Sequence, residues 1–309
     1  MNTRSCDTDV LVVGAGPAGV AAAVMAASLN LRTMVVEVGP VGGKLHRIGA
    51  LENVLGSWST GPQLAEALSA DLERLEKAGR CTVFQSLASR VSGHDDRAEL
   101  ALDDGRVLTA EFIVVATGVT DLAPADAEWI TASAEFSAAP LWRATPQDLT
   151  GRTYVLGADR PLGTWLRAHP NVRTTLHVLC PPADAYKAAE VEADSRVRLV
   201  PISHAAITKP TYGGGWTVEV EGHDGTKTIY AATSVLNNLG NKPAAVAGLV
   251  SGEDGYCPAD KQHRRIRIAG DLRAARYQRI ATAQGSGAEA VLAYYYGTTL
   301  SGGSGSLRE

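Results

Sequence analysis

Three glycines at the spacing G-x-G-x-x-G, Gly14, Gly16 and Gly19, stand directly after the apolar run Val10–Val13. Each has a separate task in holding a dinucleotide: Gly14 permits a tight turn, Gly16 lets the backbone approach a pyrophosphate, and Gly19 lets the next helix pack on the strand. The start of that helix presents free N–H groups and a positive dipole end to phosphate oxygens. Glu37, which closes the run Thr-Met-Val-Val-Glu about twenty residues further on, is placed to accept hydrogen bonds from ribose hydroxyls. A buried strand, a helix over Val20–Leu29 and a second strand must position these groups, and that context carries the reading. The alternative is a glycine-rich turn that holds no ligand.

Composition bounds the rest. With 309 residues, 45% of them hydrophobic, the chain is long enough for two domains with proper cores. No apolar run has the length of a membrane span, and the N-terminus lacks the pattern of a signal peptide, so a cytoplasmic protein without membrane contact is expected. A net charge of −4 argues against nucleic acid. The one basic cluster, His263-Arg264-Arg265-Ile266-Arg267, is short and reads as a solvated strand edge. Cys6, Cys81, Cys180 and Cys257 are far apart and form no C-x-x-C, and the seven histidines show no i, i+4 pair. Neither a disulfide framework nor a metal site is expected.

Further motifs follow along the chain. Gly39-Pro40-Val41-Gly42-Gly43-Lys44-Leu45 and Leu51-Glu52-Asn53-Val54-Leu55-Gly56 are glycine-bearing loops able to wrap closely over a ligand. Leu64, Leu68, Leu72 and Leu75 share one face of a helix predicted over Thr60–Lys77. Asp103-Asp104-Gly105 marks a hairpin, and Phe112–Val115 a buried strand ending at Ala116-Thr117-Gly118.

In their order and spacing, Gly14-Ala-Gly-Pro-Ala-Gly19, Gly42–Leu45, Glu52–Gly56, Ala116-Thr117-Gly118 and Ala269-Gly270-Asp271 resemble the thioredoxin-reductase-like flavoproteins over nearly the whole chain. The resemblance implies an α/β fold of two Rossmann-like domains, the second inserted into the first. Residues 1–125 and 238–309 would then form the FAD-binding domain, and 126–237 an inserted domain of the NAD(P) type. It implies FAD as cofactor, held by Gly14, Gly16, Pro17, Ala18, Gly19, Glu37, Gly43, Lys44, Leu45, Asn53, Thr117, Gly118, Gly270, Asp271, Gln278, Arg279 and Ile280. Glu37 would hold the adenosine ribose and Asp271 the ribityl chain, with Gly285 and Gly287 in a C-terminal helix beside the ring. A homodimer is the family's usual state. The glycine- and serine-rich tail 301–309 is expected to be disordered.

The departures from the family redirect the functional reading. Its disulfide reductases carry a Cys-x-x-Cys shortly before the second nucleotide turn, where this chain has Pro140-Leu141-Trp142-Arg143. That turn reads Gly157-Ala158-Asp159-Arg160-Pro161, which places an acid where a pyrophosphate should approach and adds repulsion. Cys180-Pro181-Pro182 replaces the His-Arg-Arg with which the family's NADPH users grip the 2′-phosphate. Gln278-Arg279-Ile280 replaces Arg-Gln-Ala, so Arg279 either lies near the pyrimidine end of a flavin or faces solvent.

The expectation is therefore an FAD-dependent oxidase or dehydrogenase of a small organic substrate, from a GC-rich bacterial source. It would work without dithiol relay or NADPH, with oxygen or an electron-carrier protein taking the electrons. The alternatives are an electron-transfer flavoprotein, reduced by a ferredoxin-like partner or by unconventionally bound NAD(P)H, and a non-catalytic FAD-binding protein. The catalytic residues are not legible; Lys44, His46, Trp142, Arg143, Arg279 and the run Tyr294-Tyr295-Tyr296 are candidates to line the substrate cleft, and each also reads as an ordinary core or surface residue.

Overall fold

Short runs of β-branched residues become central parallel strands only where both faces are covered, and Thr8–Val13 (β1) meets that condition, with Val10, Leu11 and Val12 fully buried. The computed structural model describes residues 6–302. It divides into unit 1, Met1–His46, Glu52–Thr120 and Pro243–Glu309, and unit 2, Arg47–Leu51 and Asp121–Lys242.

Unit 1 is built on a seven-stranded sheet. β1 pairs in parallel with β2 (Thr33–Glu37) on one side and with β6 (Val107–Val115) on the other. β2 is followed outward by β3 (Cys81–Gln85). β5 (Ala98–Leu102) runs antiparallel to both of its neighbours, β4 (Ala88–Gly93) and β6, and β18 (Ile266–Ile268) joins β6 in parallel. The chain leaves β1 for β2 and β3 in one direction and returns on the opposite side as β6, which puts a topological switch point between β1 and β6. Helix α1 (Pro17–Ser28) is rich in alanine, with Ala18, Ala22, Ala23, Ala26 and Ala27 buried. Small side chains let α5 (Ile280–Gly302) lie close against it: a Cβ on Gly287 would overlap the Ala18 carbonyl oxygen.

Helix α2 (Gly61–Lys77) starts at a capping box in which Thr60 and Gln63 bond each other's backbone N–H groups. Its leucines, Leu64, Leu68, Leu72 and Leu75, are all buried, as their spacing predicts. The Asp103–Gly105 turn closes the β5–β6 hairpin. Two sequence expectations change. The basic cluster is not simply a solvated edge, because Ile266 and Ile268 enter the core and Arg265 donates to the carbonyls of Asp95 and Glu111 and to the Tyr294 hydroxyl. Of the tail expected from residue 301, Ser301 and Gly302 instead belong to α5, and residues 303–309 lie outside the described part.

The chain passes between the units through β7 (Val119–Asp121) and β17 (Asn241–Pro243), which pair as a ribbon. Unit 2 contains a parallel sheet ordered β12 (Val197–Pro201), β11 (Leu176–Cys180), β10 (Thr153–Leu156), β16 (Ser234–Asn237) and β9 (Ala139–Pro140). It repeats the layout of unit 1, with the crossover from β10 to β11 through α3 (Pro161–Ala168) and the switch point between β10 and β16. A second sheet, β8 (Ile130–Ala132), β13 (His204–Thr208), β14 (Trp216–Glu221) and β15 (Lys227–Ala232), shares a core with it through Tyr154, Leu156, Ile207 and Val218. Helix α4 (Ala185–Ala188) is one turn. Among the described residues no helix is long and apolar enough to cross a membrane.

The contact between α1 and α5 has a measurable consequence. Gly287→Ala must push two helices apart and is expected to cost about 1–3 kcal/mol, read as a lower urea midpoint at unchanged slope; an unchanged midpoint would contradict this packing.

Candidate functional site

The turn after β1 has one open side and two closed ones. Gly14 has φ +100° and a Cβ there would stand 2.6 Å from the Ala116 carbonyl oxygen, while a Cβ on Gly19 would overlap the carbonyl of Gly14. At Gly16 nothing lies within 4 Å of a Cβ position. Gly16 is also the N-cap of α1, no side chain caps that helix, Pro17 opens it and Ala18 is buried behind. The Glu37 carboxylate sits beside the turn and accepts the N–H groups of Ala15 at 2.6 Å and Gly39 at 2.7 Å. All these features converge on the switch point of the sheet.

Further segments meet the same turn. The N–H of Gly42 donates to the Ala15 carbonyl at 2.8 Å, and a Cβ on Gly42, whose φ is +92°, would come within 2.6 Å of Ala65 Cβ. This anchors the 3-10 turn Gly43–Arg47 with its Lys44 and its buried Leu45. Thr117 donates its hydroxyl to the Ala244 carbonyl at 2.7 Å, next to Gly118 at φ +67°. Asp271 is largely enclosed within the turn Gly270–Arg273, and Gly270 donates to Ser286 on α5 at 2.8 Å. Burial pushes the Asp271 carboxyl above its ordinary range, and the charges of Lys44 and Arg279 oppose that shift. Lys44 and Arg279 are thus each brought into electrostatic range of Asp271. Gln278 is turned back to Tyr256 and to the carbonyls of Asp271 and Ala274, Arg279 is exposed, and Ile280 begins α5. Asn53 lies exposed in an irregular loop, and His46 is exposed with Nε2 2.8 Å from the Val41 carbonyl.

Other candidates fall elsewhere. Tyr294 packs on Phe112 with ring centroids 3.8 Å apart and its hydroxyl takes a bond from Arg265, so it is a packing residue of α5. Trp142 and Arg143 belong to unit 2. The Trp142 indole has the Arg47 guanidinium 4.7 Å and that of Arg143 5.1 Å from its ring centroid, an arrangement worth about 0.5–2 kcal/mol per cation. Arg47 also pairs with Asp121 at 2.7 Å, and the Trp142 Nε1 is buried without a hydrogen-bond partner. The four cysteines are unpaired. Burial raises the Cys81 thiol to about 11 and also raises Cys180, so neither is poised as a thiolate near neutral pH. Among the described residues no three metal-ligating side chains cluster.

Residues 8–128, which contain the first turn, match the family model described as Pyridine nucleotide-disulphide oxidoreductase. The thioredoxin reductase of Listeria monocytogenes is 26% identical over 313 residues, covering 90% of each chain. That of Mycoplasma pneumoniae is 35% identical over 114 residues, 37% of this chain and 35% of that protein. Among solved structures, the thioredoxin reductase of Lactococcus lactis in its FR conformation aligns with TM-score 0.73 at 19% identity, covering 95% of this chain and all of the other. That of T. acidophilum aligns with TM-score 0.73 at 18% identity, covering 96% of this chain and 100% of that one. Over most of its length the chain is thus similar to thioredoxin reductases, and its residues 8–128 to the pyridine nucleotide-disulphide oxidoreductase family. Its fold is the two-part Rossmann-like architecture of that group.

The turn after β10 departs from the turn after β1. Gly157 keeps its role: its φ is +82°, and a Cβ would stand 2.7 Å from the Asn238 carbonyl. Asp159, however, is not a bare charge facing an incoming phosphate. It is buried, and Lys187 bridges it at 3.0 Å and Asp184 at 3.1 Å. Asp184 in turn accepts the Ala158 N–H at 3.1 Å, and the Asn238 side chain donates to the carbonyls of Gly157 and Asp159. Asp184, Lys187 and Asn238 were not legible as site residues. The one sequence signal was the acid and the lysine three apart after Pro181-Pro182.

Burial alone would lower the Lys187 ammonium, but the two carboxylates outweigh it and its pKa is raised. A lysine whose folded pKa exceeds its unfolded value of about 10.4 contributes stability fully below that value and loses it as pH rises through the folded one. Lys187→Met, which strands two buried carboxylates, is expected to cost about 3–5 kcal/mol near neutral pH. Urea melts should show a gap between wild type and Lys187→Met that is open at neutral pH and narrows in the alkaline range; a gap already closed at neutral pH would contradict the ion triad.

Proposed function

We propose that this chain is an FAD-dependent oxidoreductase that oxidises a small organic substrate without a dithiol relay and without NADPH. The carrying observation is the turn after β1, closed to side chains at Gly14 and Gly19, open at Gly16, and set in front of Glu37. The four single thiols support the absence of a relay. In this reading the segments 1–125 and 238–309 serve FAD and 126–237 is an inserted domain that has given up its nucleotide.

Bound FAD would supply the capacity to take a hydride from the substrate and pass two electrons to oxygen or to an electron-carrier protein. The protein's part is to bind and orient. The N–H groups at the start of α1 would hold the pyrophosphate, Glu37 the adenosine ribose, and Asp271 a ribityl hydroxyl. Gly43, Leu45, Asn53, Thr117, Gly118, Gln278 and Ile280 would shape the remainder of the cradle. Lys44 and Arg279, which already act on Asp271, would add positive charge where reduction makes the ring system anionic. Lys44, His46, Trp142, Arg143 and Arg279 remain the candidates for substrate contact. A cytoplasmic homodimer, taking neither nucleic acid nor membrane as partner, completes the proposal.

Purified protein should be yellow and release FAD at about one per chain on denaturation; a colourless protein that cannot be loaded with FAD overturns the proposal. Asp271 is predicted to trade stability for binding. An acid whose folded pKa is raised costs stability once pH passes its unfolded pKa, so Asp271→Asn should melt higher than wild type as apoprotein at neutral pH. The same variant loses a charged hydrogen-bond acceptor and should retain FAD about tenfold less tightly. Tighter retention would exclude Asp271 as a cofactor ligand.

A further inference from the structure

The crevice at the carboxyl ends of β10 and β16 is where an open α/β sheet receives a ligand, and here it is filled by the chain's own charges. A backbone N–H at such a crevice ordinarily serves a phosphate oxygen. The N–H of Ala158 donates to a carboxylate oxygen of Asp184 at 3.1 Å, as that of Ala15 donates to Glu37 in unit 1, and the difference lies at the next position, where Asp159 stands in place of the open Gly16. The other oxygen of Asp184 and one oxygen of Asp159 share the ammonium of Lys187, at 3.1 and 3.0 Å. Asn238 bonds the carbonyls of Gly157 and Asp159 and so ties the end of β16 to the turn. Asp159 and Asp184 are each 8% exposed, and the Asp159 carboxyl carbon stands 3.2 Å from where a Cβ on Gly240 would lie. Pro181 and Pro182, which lead from β11 into Asp184, have no N–H to offer a ligand.

We propose that Asp159, held by Lys187 beside Asp184, is an internal group standing in for a phosphate at the turn after β10, and that these residues close unit 2 to NAD(P)H and other pyrophosphate-bearing nucleotides. The triad carries two negative charges and one positive, so an approaching pyrophosphate meets net repulsion as well as a filled position. Lys187 is the counter-charge that makes two adjacent buried carboxylates tolerable. With the carboxylates removed, the same lysine and the same N–H group form an anion site, one point charge beside one directed donor. Asp159 and Asp184 are therefore the determinants of specificity: they replace a bound nucleotide by a built-in one-residue equivalent. This inference concerns unit 2 alone and stands whether or not unit 1 holds FAD.

The test is calorimetric titration of the full chain, held in saturating FAD so that the turn after β1 is filled, with inorganic pyrophosphate and with NADPH at fixed ionic strength. Wild type should bind neither at millimolar concentration. Asp159→Gly combined with Asp184→Ala should bind pyrophosphate at least about tenfold more tightly than wild type. Should that variant fold poorly, pyrophosphate but not chloride should raise its Tm, and Asp159→Asn with Asp184→Asn, which keeps the side-chain shape, should show a smaller gain. Micromolar binding of NADPH or pyrophosphate by wild type overturns the proposal, as does a carboxylate-free variant that gains neither affinity nor a pyrophosphate-dependent Tm. FAD content, measured on the same samples, reports separately on unit 1.

Discussion

A buried backbone N–H must have a partner, and the turn that follows the first strand of a doubly wound unit concentrates such groups at one point. The chain solves that problem twice, and the two turns differ at one position. In both, the helix opens without a side-chain cap and an acid takes the N–H after the first glycine, Glu37 from Ala15 and Asp184 from Ala158. After β1 the Gly16 side is bare, whereas after β10 the space is filled by Asp159 and Lys187. One turn is left for a ligand to complete. The other is completed by the protein.

This asymmetry gives the two units different energetics. In unit 1 the cradle holds an acid, Asp271, whose ionised form burial disfavours and which a ligand with hydroxyl donors would stabilise. In unit 2 the charges are mutually satisfied, at the cost of desolvating three ionised groups in one place. The slot before β10 follows the same trend, for Trp142 there is held by the guanidiniums of Arg47 and Arg143 rather than replaced by a reactive thiol. The proposed flavin chemistry would then run without relay or nicotinamide.

Much of unit 1 was legible because its signals are local. Gly14, Gly16 and Gly19 are separated by fixed short spacings, the α2 leucines share one helical face, and Asp103–Gly105 closes its own hairpin. What sequence reasoning missed is assembled from distant segments. Asp159, Asp184 and Asn238 come from three separate elements, so nothing in their spacing announces a cluster, and Asp159 read alone was a repulsive charge. Arg265 and Tyr294 meet across a gap of 29 residues, so the basic run looked more solvated than it is. Apolar alternation at Ile266 and Ile268 was the usable hint, since both enter the core.

The central claim is that electrons reach and leave an FAD held in unit 1 without passing through a nicotinamide in unit 2. Anaerobic titration of the purified yellow protein with NADPH and then NADH, following flavin absorbance, tests it most directly. The account predicts a flavin that stays oxidised with both nucleotides and bleaches when dithionite is added. Rapid bleaching by either nucleotide at micromolar concentration would contradict it.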